Sequence, residues 1–340
     1  MLTEYRNKFN FFDLEVVVFN DSVENKRKLD KDFSYFKSDL ESDETFLKII
    51  VYKKNPPFEK VPDRKPTFNR KYSITYDEGP IRFNKYGNKA LTIIDYSKEV
   101  VEVYSLDEDL LHELSYLIIL SRVGKKMDLM GVHRIHGMAF RLGEVDAVFM
   151  MEMGGGKSTL LSHLLNYDDI ELLSDDTPLI DKSGKILPFP LRLGAYPDII
   201  KNIKKAEENI YLLKRQEYGT KVLISIDGIT NKVASKKDAL KQIFFQGKRV
   251  DGSSSRIIKA NIIQKFYYLG YNMVIGFGLP MIFEYFWEKG INDFFVKVKI
   301  AFYRFISMCR IISRNDFYIY ETGNNPKLNA EILYDFLKEK

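Results

Sequence analysis

From Phe149 onward an apolar run enters three consecutive glycines, Gly154, Gly155 and Gly156, and leaves them as Lys157-Ser158-Thr159. Leu160, Leu161, Leu164 and Leu165 follow at helical spacing. This order predicts a strand, a tight turn and a helix, because glycine takes the backbone angles of such a turn at little steric cost. The start of a helix offers unsatisfied N–H groups and the positive end of the dipole, so the turn is a natural cradle for phosphate. Lys157 would reach the outer phosphates of a nucleotide and the Ser158 hydroxyl would ligate Mg²⁺. The expected nucleotide-binding residues are therefore Gly154, Gly155, Gly156, Lys157, Ser158 and Thr159. The usual pattern has glycine where Met151 stands and a small residue where Met153 stands. A methionine at position 151 would be strained if that position needed positive φ. A glycine-rich turn that binds nothing is the alternative, and it leaves the Lys157-Ser158 succession unexplained.

Two further elements bracket the turn. His136-Gly137 lies on a strand pattern that runs from Val132 to Phe140, and Gly143 then turns the chain into the apolar strand before the glycines. Downstream, Ile170 to Leu173 forms a short apolar strand that ends in Ser174-Asp175-Asp176. By themselves the two aspartates would read as a turn or helix cap. At the end of the strand after a phosphate-binding helix, one can hold Mg²⁺ and the other can accept a proton from an attacking hydroxyl. His136 is a candidate site residue from its neighbouring strand, whereas His112, His133 and His163 read as structural.

Composition excludes several classes. The charged fraction of 29% and the net charge of +5 are ordinary, and no block of like charge points to nucleic acid. Cys309 is the single cysteine, so neither an internal disulfide nor a cysteine-rich metal site can form. The start Met1-Leu-Thr-Glu-Tyr-Arg carries no apolar signal core, and a cytoplasmic protein is expected. Phe266 to Phe283 is uncharged, yet its glycines, Asn272 and Pro280 favour a buried strand or helix and a turn over a membrane span.

The first hundred residues read as strands: Leu14 to Phe19, Phe46 to Tyr52, Tyr72 to Tyr76, Ala90 to Tyr96 and Val100 to Tyr104. Lys53 to Thr67 carries four prolines and reads as a loop, and Gly87-Asn88 suggests a hairpin. A helix is expected from about Asp107, with Leu110, Leu114, Leu117 and Ile118 on one stripe and Gly124 as its stop. Val222 to Ile226 and Phe317 to Tyr320 read as strands, and Asn329 to Lys338 as a closing helix. Between them, Asp293 to Arg314 has Phe295, Val298, Phe302, Phe305, Cys309 and Ile312 on one face. The expectation is a helix that packs this stripe on the core. A lipid-surface or partner-docking helix is the alternative.

In order and approximate spacing, Ile135-His136-Gly137, Gly154-Gly155-Gly156-Lys157-Ser158 and Ser174-Asp175-Asp176 resemble the catalytic domain of the HPr kinase/phosphorylase family. That family has a phosphoenolpyruvate-carboxykinase-like fold, and the Gly-Lys-Ser-Thr-Leu form looks closer still to small kinase homologues of bacterial peptide-modification systems. The resemblance covers about residues 107 to 260, with the final strand and helix, Asp316 to Leu337, as a candidate extension. It implies an α/β fold of mixed α+β type, whose mixed sheet is a P-loop nucleotide-binding core. A strand-rich N-terminal domain (1–106) would precede a P-loop domain (107–340) with a helical insertion at about 281–314.

The implied activity is ATP- and Mg²⁺-dependent phosphorylation of a serine or threonine hydroxyl on a peptide or protein. Lys157 would contact the β- and γ-phosphates, Ser158 and Asp176 would serve the metal, Asp175 would be the base, and His136 would sit beside the acceptor or γ-phosphate. Arg192, Lys248, Arg249 and Arg256 are candidates for a cation near the transferring group, although each reads more readily as a surface charge. The stretch Leu187 to Tyr196 lacks the glutamate that the family's bifunctional members carry, so reverse activity is not expected. A nucleotide-binding accessory or scaffold protein with lost catalysis is the competing reading, motivated by Met151 and Met153. Nucleic acid and membrane are not expected partners. The N-terminal domain could present a substrate or mediate a homo-oligomer, and the residues do not choose between these.

Overall fold

Alternating β-branched and aromatic residues over the first hundred positions build one eight-stranded sheet. The computed structural model describes residues 5–39, 44–152, 154–195, 209–215, 219–227, 232–234, 239–252, 255–275, 288 and 290–340. Met153, Tyr196, Ser253, Ser254 and the first part of the expected 281–314 insertion lie outside the described residues. The chain divides into two units. The first is Met1–Val123 with Leu212–Lys221 and Tyr285–Glu288; the second is Gly124–Tyr211, Val222–Glu284 and Lys289–Lys340. Both the sheets and the helices mark a mixed α/β protein.

The first unit's strands are β1 (Tyr5–Phe11), β2 (Leu14–Asn20), β3 (Leu47–Tyr52), β4 (Phe68–Asn69), β5 (Ile74–Glu78), β6 (Ile81–Tyr86), β7 (Ala90–Asp95) and β8 (Val100–Ser105). Their order in the sheet is β1-β2-β3-β8-β7-β6-β5-β4. β2, β3 and β8 run parallel, and the remaining neighbours are antiparallel hairpins. The β1–β2 turn holds Phe12 and Asp13 at positive φ, the geometry that matches strand twist in a two-residue hairpin. Helix α1 (Val23–Asp32) starts at Ser22, whose hydroxyl accepts the Asn25 N–H. Buried Asp32 ends it and meets His112 Nε2 at 2.5 Å, so His112 ties the long helix α2 (Glu108–Met130) to α1.

Helix α2 does not stop at Gly124. It runs through that glycine to Met130, and Gly131, at φ +83, ends it. Gly124 serves packing instead: a Cβ there would lie 1.5 Å from Nη2 of the buried Arg134.

In the second unit β9 (His133–Arg134), β10 (Met138–Leu142) and β11 (Val145–Met150) precede α3 (Lys157–Leu164) and β12 (Ile170–Ser174). The single strand pattern expected over Val132 to Phe140 is thus broken in two around His136-Gly137. Short strands β13 (Leu179–Ile180), β14 (Ile186–Leu187) and β15 (Leu193–Ala195) follow, then β16 (Ile210–Arg215), β17 (Gly219–Ile224), β18 (Lys241–Arg249) and β19 (Arg256–Lys259). Helices α4 (Ile262–Leu269) and α5 (Ile291–Arg314), strand β20 (Asp316–Thr322) and helix α6 (Pro326–Lys338) complete the chain. A π-helical segment, Gly270–Ile275, continues α4. Among the described residues, no helix is long and apolar enough to cross a membrane.

The principal sheet of this unit has the order β12-β10-β11-β18-β20-β19. Along β11 the side chains alternate between two cores. Val145, Ala147 and Phe149 join Leu160, Leu161 and Leu164 of α3 and Leu333 of α6 on one face. Val148 and Met150 join Met273, Met308, Ile311 and Ile312 on the other. Strands covered on both faces are what a parallel core requires.

Of the stripe expected on α5, only its C-terminal end, Cys309 and Ile312, packs on this core. Phe295, Val298, Phe302 and Phe305 are exposed, and the helix buries Ile300, Arg304, Met308 and Ile311 instead. Arg304 carries that choice, because it reaches buried Asp128 of α2.

Candidate functional site

Strand directions gather the three sequence elements at one end of the principal sheet. β10 is antiparallel to both β11 and β12, whereas β11, β18 and β20 are mutually parallel. The C-terminal ends of β11, β12 and β18 therefore lie with the N-terminal end of β10. That edge receives the glycine turn, Asp175-Asp176, Gln246 to Arg249, and His136-Gly137. Ligands of open α/β sheets bind outside such carboxyl ends.

Backbone bonds fix the elements to each other. The Gly137 N–H donates to the Asp176 carbonyl at 3.1 Å, and the Ile135 N–H to the Pro178 carbonyl at 3.0 Å. Gly137 is required by close approach, since a Cβ there would stand 2.9 Å from the Phe149 carbonyl oxygen. The His136 N–H donates to the Asn272 carbonyl at 3.0 Å, and the Asn272 side chain donates to Gln246 Oε1 at 3.2 Å. The strand Lys241–Arg249 and the places of Gln246 and Asn272 beside His136 go beyond the sequence-based expectations. The Ile243-Phe244-Phe245 run was the available signal for that strand.

In the glycine turn, Gly154 and Gly156 take φ of +78 and +106, and among the described residues no atom beyond the chain neighbours lies within 4 Å of where a Cβ would stand on either. Gly156 begins α3 without any side-chain cap. Met151 does not occupy a positive-φ position, so the strain expected of it is absent. Its side chain is buried beneath the turn, where a Cβ on Gly155 would meet Met151 Cγ at 2.7 Å. The Gly155 N–H donates to the Glu152 carbonyl at 3.1 Å and closes the turn.

Lys157, buried at the first position of α3, donates to the Met151 carbonyl at 3.0 Å and lies 3.2 Å from His136 Nε2. An ammonium only donates, so Nε2 accepts and the ring proton belongs on Nδ1. Among the described residues Nδ1 has no hydrogen-bond partner, and it stands 3.8 Å from Asp176 Oδ1. Burial of the ring, and after it the Lys157 charge, hold the His136 pKa below its ordinary 6.5, while Asp176 opposes them. The imidazole is thus neutral near pH 7. Asp176 is largely exposed, whereas Asp175 Oδ2 accepts the Gly194 N–H at 3.2 Å.

Sequence-predicted His136, Lys157 and Asp176 come together here, and Asp175 is fastened alongside by β15. Ser158 and Thr159 occupy the first turn of α3. Lys248 and Arg249 end β18 exposed at the same sheet edge, with Lys248 5.6 Å over the Tyr268 ring. Arg256 is ion-paired with Glu321, and Arg192 immediately precedes β15. His133 Nδ1 bonds Asp128 at 3.0 Å inside the core, as a structural histidine would.

No protein-family model matches this chain, and no curated protein matches it.

Proposed function

We propose that the chain is an ATP- and Mg²⁺-dependent kinase, of HPr-kinase-like type, that phosphorylates a serine or threonine hydroxyl of a peptide or protein. The observation that carries this reading is the Lys157 ammonium, held between the glycine turn and His136 at the sheet edge that also bears Asp175-Asp176. In it the glycine turn is a phosphate-binding loop. Its open side at Gly154 and Gly156 and the uncapped start of α3 suit an anionic phosphate chain.

Lys157 would swing from the Met151 carbonyl to the β- and γ-phosphates. Asp175 would take the hydroxyl proton as the hydroxyl oxygen bonds to the γ-phosphorus, while the bond to the β–γ bridging oxygen breaks and ADP leaves. His136, neutral and proton-bearing on Nδ1, would orient Asp176 without competing for negative charge. Ser158 and Asp176 would hold Mg²⁺, which when bound neutralises charge on the phosphate oxygens. Among the described residues no group of three acidic, histidine or cysteine side chains could hold a metal alone. Mg²⁺ takes one or two protein ligands and completes its shell with phosphate and water.

A second reading is a nucleotide-binding scaffold without turnover. It is favoured by Met151, which fills the space beneath Gly155 and engages Lys157 through its carbonyl. One experiment separates them: calorimetric titration with Mg·ATP beside measurement of γ-phosphate transfer to serine- and threonine-bearing peptides. Binding with transfer supports the kinase, binding without it the scaffold, and absence of binding removes both.

A further inference from the structure

Helix α5 has two apolar faces, and only one of them packs. Met308, Ile311 and Ile312 belong to the core of the second unit, and Ile300 is buried on the same side of the helix. On the opposite side, Ile291, Phe294, Phe295, Val298, Phe302 and Phe305 recur at three- and four-residue steps, so they form one stripe. All are exposed, Phe295 by 63% and Phe302 by 59%. Helix α4 packs against α5 and adds exposed Ile262, Ile263, Phe266 and Tyr267. Scattered exposed apolar residues need no explanation, but a contiguous aromatic stripe marks a docking surface.

Charge selects the occupant. Asp293 is the single acid of α5; it is buried and held by Lys125 and Lys297. Helix α4 has no acid. The exposed cations are a different set. Lys299 lies over the Tyr303 ring, while Arg310 and Arg314 donate to the carbonyls of Lys182 and Ser183. Those partners orient the side chains without cancelling their charge. At helical spacing Lys299 falls beside the Phe295 border of the aromatic stripe, and Arg310 and Arg314 follow on that side of the helix beyond Phe305. We infer that the exposed faces of α5 and α4 dock the protein on an anionic lipid surface, with the phenylalanines in the acyl boundary and these cations at the headgroups. A second copy of the chain on the same stripe would bring these cations no exposed acid from α5 or α4 to pair with.

The test is co-sedimentation of the full chain with vesicles of phosphatidylcholine alone and of phosphatidylcholine with one third phosphatidylglycerol. Wild type is expected to pellet with the anionic vesicles only, and to be released by high salt. Phe295→Asp with Phe302→Asp should weaken binding more than about tenfold. Lys299→Gln should weaken it roughly fivefold. Both sites are exposed, and an unchanged thermal unfolding curve verifies the fold of each variant. No pelleting, equal pelleting with neutral vesicles, or insensitivity to the substitutions would overturn the inference. A concentration-dependent dimer that Phe302→Asp dissociates, without vesicle binding, would assign the stripe to a second copy instead.

Discussion

The Lys157 ammonium stands 3.2 Å from His136 Nε2, on the opposite side of the ring from the Asp176 carboxylate at 3.8 Å from Nδ1. A histidine between a cation and an anion reports on both. Burial and Lys157 disfavour the imidazolium, and Asp176 favours it. His136 should therefore titrate below 6.5 in wild type, further down in Asp176→Asn, and higher in Lys157→Gln. The folded pKa lies below the unfolded one, so stability linked to this residue is fully present above pH 6.5 and declines as pH falls toward the folded value. Ring resonances followed by NMR through a pH titration provide the check. A His136 signal indifferent to both substitutions would refute the geometry.

Catalysis, on the proposed reading, separates Lys157 from Asp175. Lys157→Ala removes a charge aimed at the phosphates and should lower γ-phosphate transfer about 10²–10³-fold. Asp175→Asn keeps an oxygen for the Gly194 N–H, so the loop that includes β15 stays in place. It should bind Mg·ATP within a few-fold of wild type and still lose transfer, since an amide is no base. Rates and calorimetric affinities measured on the same preparations decide the matter. If Asp175→Asn retains full turnover, the base lies elsewhere.

The buried pair of Asp128 and Arg304 anchors α5 to α2. Burial alone would raise the Asp128 carboxyl, but Arg304, with the His133 hydrogen bond, brings it down to about 2. Arg304→Ala would leave a carboxylate in the core and should cost about 3–5 kcal/mol in chemical denaturation at pH 7. The carboxyl's folded pKa is depressed, so the contribution is present above its ordinary 3.8 and lost as pH falls through about 2. The deficit of the variant should accordingly shrink between pH 4 and pH 2. A constant deficit over that window would mean that lost packing, not charge, accounts for the effect.

Where the sequence speaks in local rules, it is legible. The strand–glycine–helix order, the Gly87 hairpin and the closing helix after Asn325 depend on neighbours in the chain, and each forms close to where it is expected. The convergence of His136 and Asp176 on Lys157 was legible only as order and spacing. What escaped depends on partners distant in sequence. The α5 stripe obeys the helical period, yet Arg304 finds Asp128 and turns the opposite face inward. Met151 breaks the glycine pattern, but it packs beneath Gly155 without strain. Strand β18 becomes central because β11 and β20 flank it, which no local property of Lys241–Arg249 states.

Gly124 shows the same limit and yields a prediction of opposite sign to the local rule. In a helix interior, glycine to alanine is normally stabilising by about 1 kcal/mol. Here the new methyl would coincide with the Arg134 guanidinium, 1.5 Å from Nη2 and 2.1 Å from Cζ. An arginine tip is flexible at a surface, but Arg134 is buried and has no room to retreat without moving its surroundings. Overpacking of this kind costs about 1–3 kcal/mol, which outweighs the propensity gain. Gly124→Ala should thus lower the unfolding midpoint in urea. In an Arg134→Leu background, where the guanidinium is gone, the same substitution should turn neutral or stabilising. That change of sign in a double-mutant cycle would attribute the cost to the Arg134 contact. Destabilisation of equal size in both backgrounds would show that Gly124 is required by the helix itself.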